Sequence, residues 1–321
     1  MIPGRVNTIT SKLAQQVFLT GSSGAIGQRL IPSLQKEFSV SALVRDKSKL
    51  SFSKTPLLQV IEADLKTDSK LSLPGKETLS PSAIYLSLVA EDNDPDSEMR
   101  GIRNVVELLR SQHVPNSKSL FILTSGPYSA GLQNDPFKSV DEFSRNLKKS
   151  AWDRTSFEDF AMSFADDNLS VAIVRPGWVY GLPSEVDRWI SHSQAQKKLA
   201  YSGDLNSFIP LVHADDLIDL YLRLMELKPC GIFHAVEESL TFLQILAVVQ
   251  NHLKVPLEYQ SLQSMLANDI KFAHAMQSDF SCRVRATNSL QFGWKPRRDF
   301  AKTYPETHAK PEAPPEQQKI N

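Results

Sequence analysis

Short apolar runs recur along the first half of the chain, and most of them are continuous rather than alternating with polar residues. They occupy residues 17–19, 40–44, 57–61, 83–89, 120–123 and 171–174. Between them lie segments with apolar residues at helical spacing, of which 26–34 and 102–109 are the clearest. Apolar strands of this kind are typical of a parallel sheet with helices on both faces. The pattern predicts an α/β fold built on a doubly wound parallel sheet.

The strand–helix rhythm ends at Gly177. Residues 178–206 mix aromatic and polar side chains, and the later pattern is mostly helical, with one short strand at 231–235. A helix at 240–253 has Ser239 or Thr241 as its expected cap. The predicted division is an N-terminal extension at 1–14, a sheet domain at 15–177 completed by segments near 209–236, a small, mostly helical lobe at 178–208 and 237–300, and a disordered tail at 301–321.

Composition narrows the function classes. The 321 residues carry 36 basic and 36 acidic side chains, so bulk charge gives no reason to expect nucleic-acid or membrane binding. Two cysteines without a Cys/His cluster make a metal site or a disulfide framework unexpected. We find no apolar run of membrane-spanning length and no secretory signal in residues 1–15. A cytoplasmic protein is the resulting expectation, and a homo-oligomer stays open.

Three glycines follow the first apolar run at a regular spacing. Gly21, Gly24 and Gly27 connect the strand at 17–19 to the helical segment at 26–34. Such a turn presents backbone N–H groups and the positive end of a helix dipole to a phosphate. We expect Gly21 to turn the chain, Gly24 to let a pyrophosphate approach, and Gly27 to let the helix pack closely. A plain strand–helix connection is the alternative, but the parallel-sheet pattern downstream favours phosphate binding.

Polar clusters stand at the carboxyl ends of the predicted strands, where such sheets bind ligands. Arg45 and Asp46 follow the second strand, about 20 residues after the glycine turn, at the distance expected for an adenosine ribose. An arginine there suits a 2′-phosphate and favours NADP(H) over NAD(H), whereas Asp46 offers a ribose an acceptor. Arg45 as a solvated surface charge is the remaining alternative.

The ordered set of motifs resembles the short-chain dehydrogenase/reductase superfamily. It is most similar to the extended or atypical branch, with NAD-dependent epimerases, dehydratases and dihydroflavonol-reductase-like enzymes. The matching segments are 20–27, 63–65, 123–125, 175–181, 212–216 and 292–296, in the family's order across residues 16–300. The resemblance implies a Rossmann-type, doubly wound sheet with a C-terminal substrate lobe.

The resemblance also implies roles for individual residues. The glycine turn would line the pyrophosphate, 64–65 would contact adenine, 88–90 would flank the adenine ribose, and 176–177 would lie against the nicotinamide. Ser125 matches the family's catalytic serine, although a serine there could simply terminate its strand. The expected cofactor-binding residues are Gly21, Ser23, Gly24, Ala25, Ile26, Gly27, Arg45, Asp64, Leu65, Leu88, Val89, Pro176 and Gly177.

The chain departs from the family at its proton donor. None of the seven tyrosines is followed four residues later by lysine, so the Tyr-x-x-x-Lys pair is absent. The best register places Ser150 at the tyrosine and Arg154 at the lysine. Arginine keeps a cation near the nicotinamide ribose, but serine cannot replace a phenol as the proton donor. Tyr128 is the leading candidate for that role, and packing as a loop aromatic is its alternative.

Three functions follow from this departure. The first is an oxidoreductase acting on a small carbonyl or alcohol. The second is a redox-neutral isomerase, lyase or cyclase, and the third is a non-catalytic cofactor sensor like the NmrA-type regulators. Asn104 is expected to be a hydrogen-bond anchor, and His213 to tie a helix to the sheet with Asp215 or Asp216 as its cap. Aromatic residues that suit an apolar or aromatic substrate, or simply a core, are Trp152, Trp178, Tyr180, Trp189 and Tyr201.

Overall fold

A computed structural model describes residues 15–50, 55–65, 79–86, 94–132, 138–144 and 153–307. Seven parallel strands form the central sheet in the order β10-β6-β5-β4-β1-β2-β3. The prediction of a doubly wound parallel sheet is confirmed, and the strand order reverses between β1 and β4. The strands are β1 (Gln16–Leu19), β2 (Ser39–Val44), β3 (Leu58–Glu62), β4 (Ser82–Leu86), β5 (Ser119–Thr124), β6 (Leu169–Pro176) and β10 (Gly231–Ala235).

Helices cover both faces of this sheet. Helix α1 (Ala25–Leu34) and helix α5 (Ala214–Leu227) pack on one face, and α2 (Pro95–Ser111) and α3 (Thr155–Met162) pack on the other. The central strands are buried from end to end, which explains why their sequences are apolar on both faces. No helix among the described residues is both long and apolar enough to cross a bilayer.

The lobe has its own core beyond the carboxyl end of β6. Its strands form two small sheets, ordered β11-β9-β7 and β12-β8, and its helices enclose a cluster of buried aromatic and aliphatic side chains. Thr241 caps α6 with a capping box, as one of the two expected caps. The elements are β7 (Trp178–Tyr180), α4 (Glu185–Gln196), β8 (Leu199–Tyr201), β9 (Phe208–His213), β11 (Glu238–Thr241), α6 (Phe242–Leu253), β12 (Leu257–Tyr259), α7 (Leu262–Ala267), α8 (Thr287–Gln291) and α9 (Phe300–Thr307).

Two of the motifs behind the family resemblance contact each other. Asp216, in the first turn of α5, accepts the indole N–H of Trp294 on its backbone carbonyl at 2.8 Å. Its buried carboxylate accepts from the guanidinium of Arg298 at 2.8 Å and from the backbone N–H groups of Arg297 and Arg298 at 3.1 Å each. These contacts fasten the end of the lobe to the sheet domain.

The C-terminal boundary differs from the expectation. Helix α9 extends to Thr307, and its Tyr304 is fully buried and stacks on Phe300. Residues 301–307 therefore belong to the lobe and not to a disordered tail, because Phe300 and Tyr304, one helical turn apart, both bury their rings in the core of the lobe. Residues 308–321 and the expected extension at 1–14 lie outside the described residues.

Candidate functional site

The glycine turn joins β1 to α1 at the carboxyl edge of the sheet. Gly21 has a φ of +59°, and a Cβ there would lie 2.9 Å from the Cβ of Leu86. A Cβ on Gly27 would lie 2.3 Å from the carbonyl oxygen of Gly21, so its close contact is with the turn itself. Gly24 is exposed at a φ of −76°, and a Cβ there would meet only that same oxygen, at 3.2 Å. The fold requires the outer two glycines, while the middle one keeps backbone open to solvent.

The amino end of α1 is available to an anion. Gly24 is the N-cap, no side chain of the described residues caps the helix, and its first turn has no acidic residue. The side chain of Ser22 does not cap this helix end, because its hydroxyl donates to the carbonyl of Leu19 at 2.8 Å. Thr20 fixes the turn against β4, because its hydroxyl accepts from the N–H of Leu86 at 2.9 Å. The helix dipole and N–H groups therefore meet at the switch point of the sheet.

Arg45 and Asp46, at the end of β2, have different surroundings. Asp46 caps the 3₁₀ turn Lys47–Lys49, and its Oδ1 accepts from the N–H of Ser48 at 2.9 Å and from its hydroxyl at 2.7 Å. Those two bonds lower the pKa of Asp46. Arg45 is exposed and makes no hydrogen bond or ion pair within the described ranges. The cation is thus available to a ligand, while one oxygen of the competing carboxylate is already engaged.

The segment after β3 carries the residues expected beside the adenine. Leu65 is buried, and its carbonyl accepts from the side-chain amide of Asn104 on α2 at 3.4 Å. This contact gives Asn104 the anchoring role expected for an amide on an otherwise apolar helix face. Asp64 is partly buried next to it. Leu88 and Val89 lie outside the described residues, so their contact with a ribose stays a prediction.

Ser125 follows β5 and is joined to a buried ion pair. Its hydroxyl donates to Oε1 of Glu158 on α3 at 2.5 Å. The guanidinium of Arg175 on β6 donates from Nε to the two carboxylate oxygens at 3.0 and 3.2 Å, and from Nη2 to Oε2 at 2.5 Å. The side chains of Glu158 and Arg175 are 3% and 8% exposed, so water contributes little to their solvation. The serine is therefore held by a desolvated carboxylate.

His234 on β10 extends this network across the sheet. Its Nε2 lies 3.4 Å from Nη1 of Arg175, and its Nδ1 lies 3.0 Å from the carbonyl oxygen of Arg285. Because an arginine only donates and a carbonyl only accepts, the imidazole is neutral with its proton on Nδ1. Burial, followed by the charge of Arg175, lowers the pKa of His234 to about 3. A neutral histidine thus accepts a hydrogen bond from the side of the Arg175 guanidinium that faces away from Glu158.

A second ion pair, of which only the acid is fully buried, lies one helical turn earlier. Arg154, the N-cap residue of α3, donates from Nη2 to Oε1 of Glu98 at 3.0 Å, and its guanidinium lies 5.2 Å from the ring centre of Phe157. Glu98 comes from α2 and is 1% exposed. The cation expected at the nicotinamide ribose is therefore paired with a buried carboxylate. Ser150, its partner in the proposed register, lies outside the described residues.

Tyr128 lies in the 3₁₀ turn Pro127–Ala130 and is 3% exposed. Its hydroxyl oxygen accepts from the indole N–H of Trp178 at 2.9 Å, and its ring meets Phe280 edge-on. Burial raises the pKa of Tyr128 above the ordinary tyrosine value, which makes the phenol a weaker acid. The surroundings of Tyr128 favour a packing role over that of a proton donor.

The segment after β6 passes close to the lobe. The N–H of Gly177 donates to the carbonyl of Ala235 at 2.9 Å, and a Cβ on Gly177 would lie 2.7 Å from the carbonyl oxygen of Pro210. Pro176 and Gly177 are buried at this crossing. Their position at the carboxyl end of the sheet is the one that the resemblance assigns to the nicotinamide side.

The aromatic residues singled out from the sequence mainly build the core of the lobe. Tyr180 and Trp189 are fully buried, and Trp178 and Tyr201 pack against the same cluster. The ring of Trp189 packs against the rings of Phe242 and Phe272, at centroid distances of 6.0 and 5.1 Å. These contacts favour the core-packing alternative over a substrate surface. Trp152 lies outside the described residues.

A carboxylate between β10 and the lobe was not anticipated. Glu237 accepts from the hydroxyl of Tyr180 and from the N–H of His213 at 3.0 Å, and burial raises its pKa to about 8. His213 itself caps α5, because its Nδ1 accepts from the N–H of Asp215 at 3.1 Å. The expectation that Asp215 or Asp216 is the cap is therefore wrong, since the ring of His213 already fills that position.

Sequence reasoning missed the two buried acids, Glu98 and Glu158. Each lies on the sheet-facing side of a helix among apolar neighbours, which is a place where an acid needs a partner. Glu158 also follows Arg154 by four residues, on the same helix face. That pattern was a signal, but the cations that pair with these acids come from distant segments. Among the described residues, no group of three or more His, Cys, Asp or Glu side chains could hold a metal ion.

Solved structures with the same architecture are numerous, and the three that follow are distant in sequence. A dTDP-glucose 4,6-dehydratase from Bacillus anthracis str. Ames, in complex with NAD, superposes with a TM-score of 0.68 at 14% identity, covering 91% of this chain and 95% of its own. A UDP-N-acetylglucosamine 4-epimerase from Methanobrevibacter ruminantium M1, in complex with UDP-N-acetylmuramic acid, superposes with a TM-score of 0.67 at 16% identity, covering 91% of this chain and 95% of its own. A human epimerase family protein with NADPH superposes with a TM-score of 0.65 at 16% identity, covering 91% of this chain and 98% of its own. At such identities these similarities establish the fold.

Sequence comparison identifies the family. No curated protein sequence matches the chain significantly. A family profile, however, matches residues 17–233, about two thirds of the chain, from the first strand of the sheet to the last. The matched span contains the glycine turn, Ser125, both of these ion pairs and the crossing at Gly177. The chain therefore belongs to the NAD dependent epimerase/dehydratase family.

Proposed function

We propose that the protein binds NADP(H) at the carboxyl edge of its sheet and is an oxidoreductase acting on a small carbonyl or alcohol. The observation that carries this proposal is the glycine turn, where an uncapped helix end meets the switch point of a parallel sheet. When bound, the nicotinamide supplies or accepts hydride. The residues of the chain hold the dinucleotide and orient the group that reacts.

The glycine turn fits a pyrophosphate. A dinucleotide needs backbone N–H groups that no side chain covers, and Gly24 leaves them uncovered on the exposed side of the turn. Side chains at Gly21 and Gly27 would collide with backbone or with Leu86, and hydrogen bonds from Gly24 to Gly21 and from Leu86 to Thr20 hold the turn in shape. A preorganised turn of this kind binds an anion without first having to be ordered. Pro176 and Gly177 are assigned to the nicotinamide end.

Preference for the 2′-phosphate is assigned to Arg45. Its guanidinium is exposed, and the neighbouring Asp46 is drawn into the cap of a 3₁₀ turn by Ser48. A bidentate guanidinium contact with a phosphate is a charge-assisted bond, contributing about 1.5–3 kcal/mol. The expected preference for NADPH over NADH is therefore roughly tenfold or more.

Titration of the full chain with NADPH and with NADH tests the proposal. Tight binding of NADPH is expected, and Arg45→Asp should weaken it roughly tenfold or more while leaving NADH binding nearly unchanged. Lys49→Ala is the matched control, because Lys49 is an exposed cation in the same turn. Failure of both dinucleotides to bind refutes the proposal, and equal losses of NADPH affinity in Arg45→Asp and in Lys49→Ala refute the role of Arg45.

A cofactor-binding protein without turnover is the second candidate. It is supported by the burial of Tyr128 and by the pairing of Arg154 with Glu98, which leave no ordinary Tyr-Lys acid in the described part of the chain. Stopped-flow absorbance of the NADPH complex, mixed with a panel of aldehydes and ketones, separates the two candidates. Oxidation of bound NADPH by any member supports the oxidoreductase, and intact binding without oxidation across the panel supports the sensor.

A further inference from the structure

We infer that Ser125 faces its ligand only as a hydrogen-bond acceptor, so that the site selects a hydroxyl over a carbonyl at that position. This inference rests on the proposed function, because it concerns the group that lies beside the bound dinucleotide. Ser125 follows β5 at the carboxyl edge of the sheet and is partly exposed, whereas Glu158 behind it is buried. The serine therefore lies between the buried acid and the open side of the sheet.

The single proton of the Ser125 hydroxyl is already used. It lies in the bond to Oε1 of Glu158, and an ionised carboxylate can only accept. The hydroxyl of Ser129 is 3.4 Å away and itself accepts from the backbone N–H of Arg154 at 3.0 Å. A proton donated by Ser129 would add a donor to Ser125 and would not release the proton held by Glu158. What Ser125 offers to a ligand is oxygen lone pairs.

The ion pair of Glu158 and Arg175 keeps the direction of the Ser125 hydrogen bond fixed. Arg175 donates three times to the carboxylate of Glu158, and these bonds prevent the acid from rotating away. His234 orients the other end of the guanidinium through Nη1. Because both charges are buried, protonating Glu158 would leave an uncompensated guanidinium. Glu158 is thus a positioning residue that sets the polarity of Ser125.

The chemical consequence is a preference between two oxidation levels of one substrate. An alcohol can donate its O–H to Ser125, whereas a carbonyl oxygen would place lone pairs against lone pairs. When the ligand covers the Ser125 oxygen and supplies no donor to it, binding is weaker by about tenfold. The site therefore binds the hydroxyl member of an alcohol–carbonyl pair more tightly when everything else about the two molecules is the same.

Two variants separate this polarity from a structural role. In Glu158→Gln, the amide oxygen turns toward the donors of Arg175, so the amide N–H₂ faces Ser125 and donates to it. The serine proton is then released toward the ligand, and the preference reverses. Ser125→Ala keeps the ion pair and removes the hydroxyl, so the preference disappears. Glu98→Gln is the matched control, a buried acid paired with an arginine that makes no contact with Ser125.

The measurement is a fluorine NMR titration with para-fluoroacetophenone and its secondary alcohol. The full-length protein is saturated with tetrahydro-NADP, an analogue that cannot transfer hydride. We expect the alcohol to bind about tenfold more tightly in the wild type and in Glu98→Gln, with a ratio near one in Ser125→Ala and below one in Glu158→Gln. A wild-type ratio of one or less, or an unchanged ratio in Ser125→Ala, overturns the inference.

Dinucleotide binding is read separately in the same samples. If NADPH binds and the ratio is unchanged by Ser125→Ala, the polarity inference is wrong and the proposed function stands. If no dinucleotide binds, the proposed function is wrong. The ratio of alcohol to ketone affinity is then measured on the free protein, in which Ser125 donates to Glu158 as it does in this structure. Should Glu158→Gln fail to fold, Ser125→Ala alone decides the inference, because that variant keeps the buried charges paired.

Discussion

The buried pair of Glu158 and Arg175 provides the sharpest test of how the site is held together. Replacing Glu158 by alanine removes its three hydrogen bonds with the guanidinium and the acceptor of the Ser125 hydroxyl. Arg175 is 8% exposed and cannot regain water without opening the sheet. Removing one partner of a buried pair costs about 3–5 kcal/mol, because a charge is left desolvated and unpaired.

Urea denaturation of the free protein measures this loss as a decrease in the free energy of unfolding. The matched control is Glu226→Ala, which breaks the exposed pair of Glu226 with Arg223, whose side chains are 50% and 37% exposed. Exposed pairs contribute about 0–1 kcal/mol, so this control should be nearly neutral. A loss in Glu158→Ala no larger than that of the control would refute the reasoning.

A double variant shows whether the loss comes from the unpaired charge. Glu158→Leu combined with Arg175→Met removes both charges and keeps similar volumes, so it should regain most of the stability lost in Glu158→Ala. If the double variant is as unstable as the single one, the cost comes from packing and not from an uncompensated guanidinium. Both proteins should keep the far-ultraviolet circular dichroism of the wild type.

Three further predictions concern the turn, a titrating acid and a helix cap. Gly24→Ala should weaken NADPH binding at little cost in stability. Gly27→Ala should weaken binding and also lower the melting temperature, because its Cβ would lie 2.3 Å from a backbone oxygen. Equal melting temperatures of the two variants would contradict this. Burial raises the pKa of Glu237 from 4.5 to about 8, so the folded state holds the proton more tightly and stability falls as the pH rises through that window. Glu237→Gln should flatten the decline between pH 5 and about pH 8 in urea midpoints, and an unchanged slope would assign it to other groups. Thr241→Ala removes the capping box of α6 and should cost about 1 kcal/mol, whereas Thr241→Ser should retain most of the stability.

The elements could be predicted where one local pattern fixed the conformation. Continuous apolar runs located the strands of the sheet, since a strand buried on both faces has no polar positions to show. The order of the motifs identified the family, which the profile match over residues 17–233 confirms. The glycine spacing predicted the turn, because Gly21 needs a positive φ and Gly27 has no room for a Cβ.

Local pattern was insufficient where burial decided the outcome. The place of Tyr128 after β5 suggested a proton donor, with packing as the alternative. Its ring lies against Trp178 and Phe280, which come from the lobe, and these contacts favour packing. Tyr304 sits in a polar segment that reads as a tail, yet its ring is fully buried in the lobe core. The partners of Tyr128 lie far away in sequence, and no periodicity within its own segment indicates them. Phe300 and Tyr304, by contrast, are one helical turn apart, and that spacing was a signal for the last helix.

By itself, the sequence determined the parallel sheet, the glycine turn and the absence of a Tyr-x-x-x-Lys pair, because each of these is a pattern of neighbouring residues. Only the tertiary structure decided which charges meet beside Ser125 and Arg154. Glu158 meets Ser125 and Arg175 across 33 and 17 residues, respectively, and Glu98 meets Arg154 across 56. The role of a buried acid on a helix depends on the cation that the fold places beside it, because an unpaired charge inside a protein is too costly to remain.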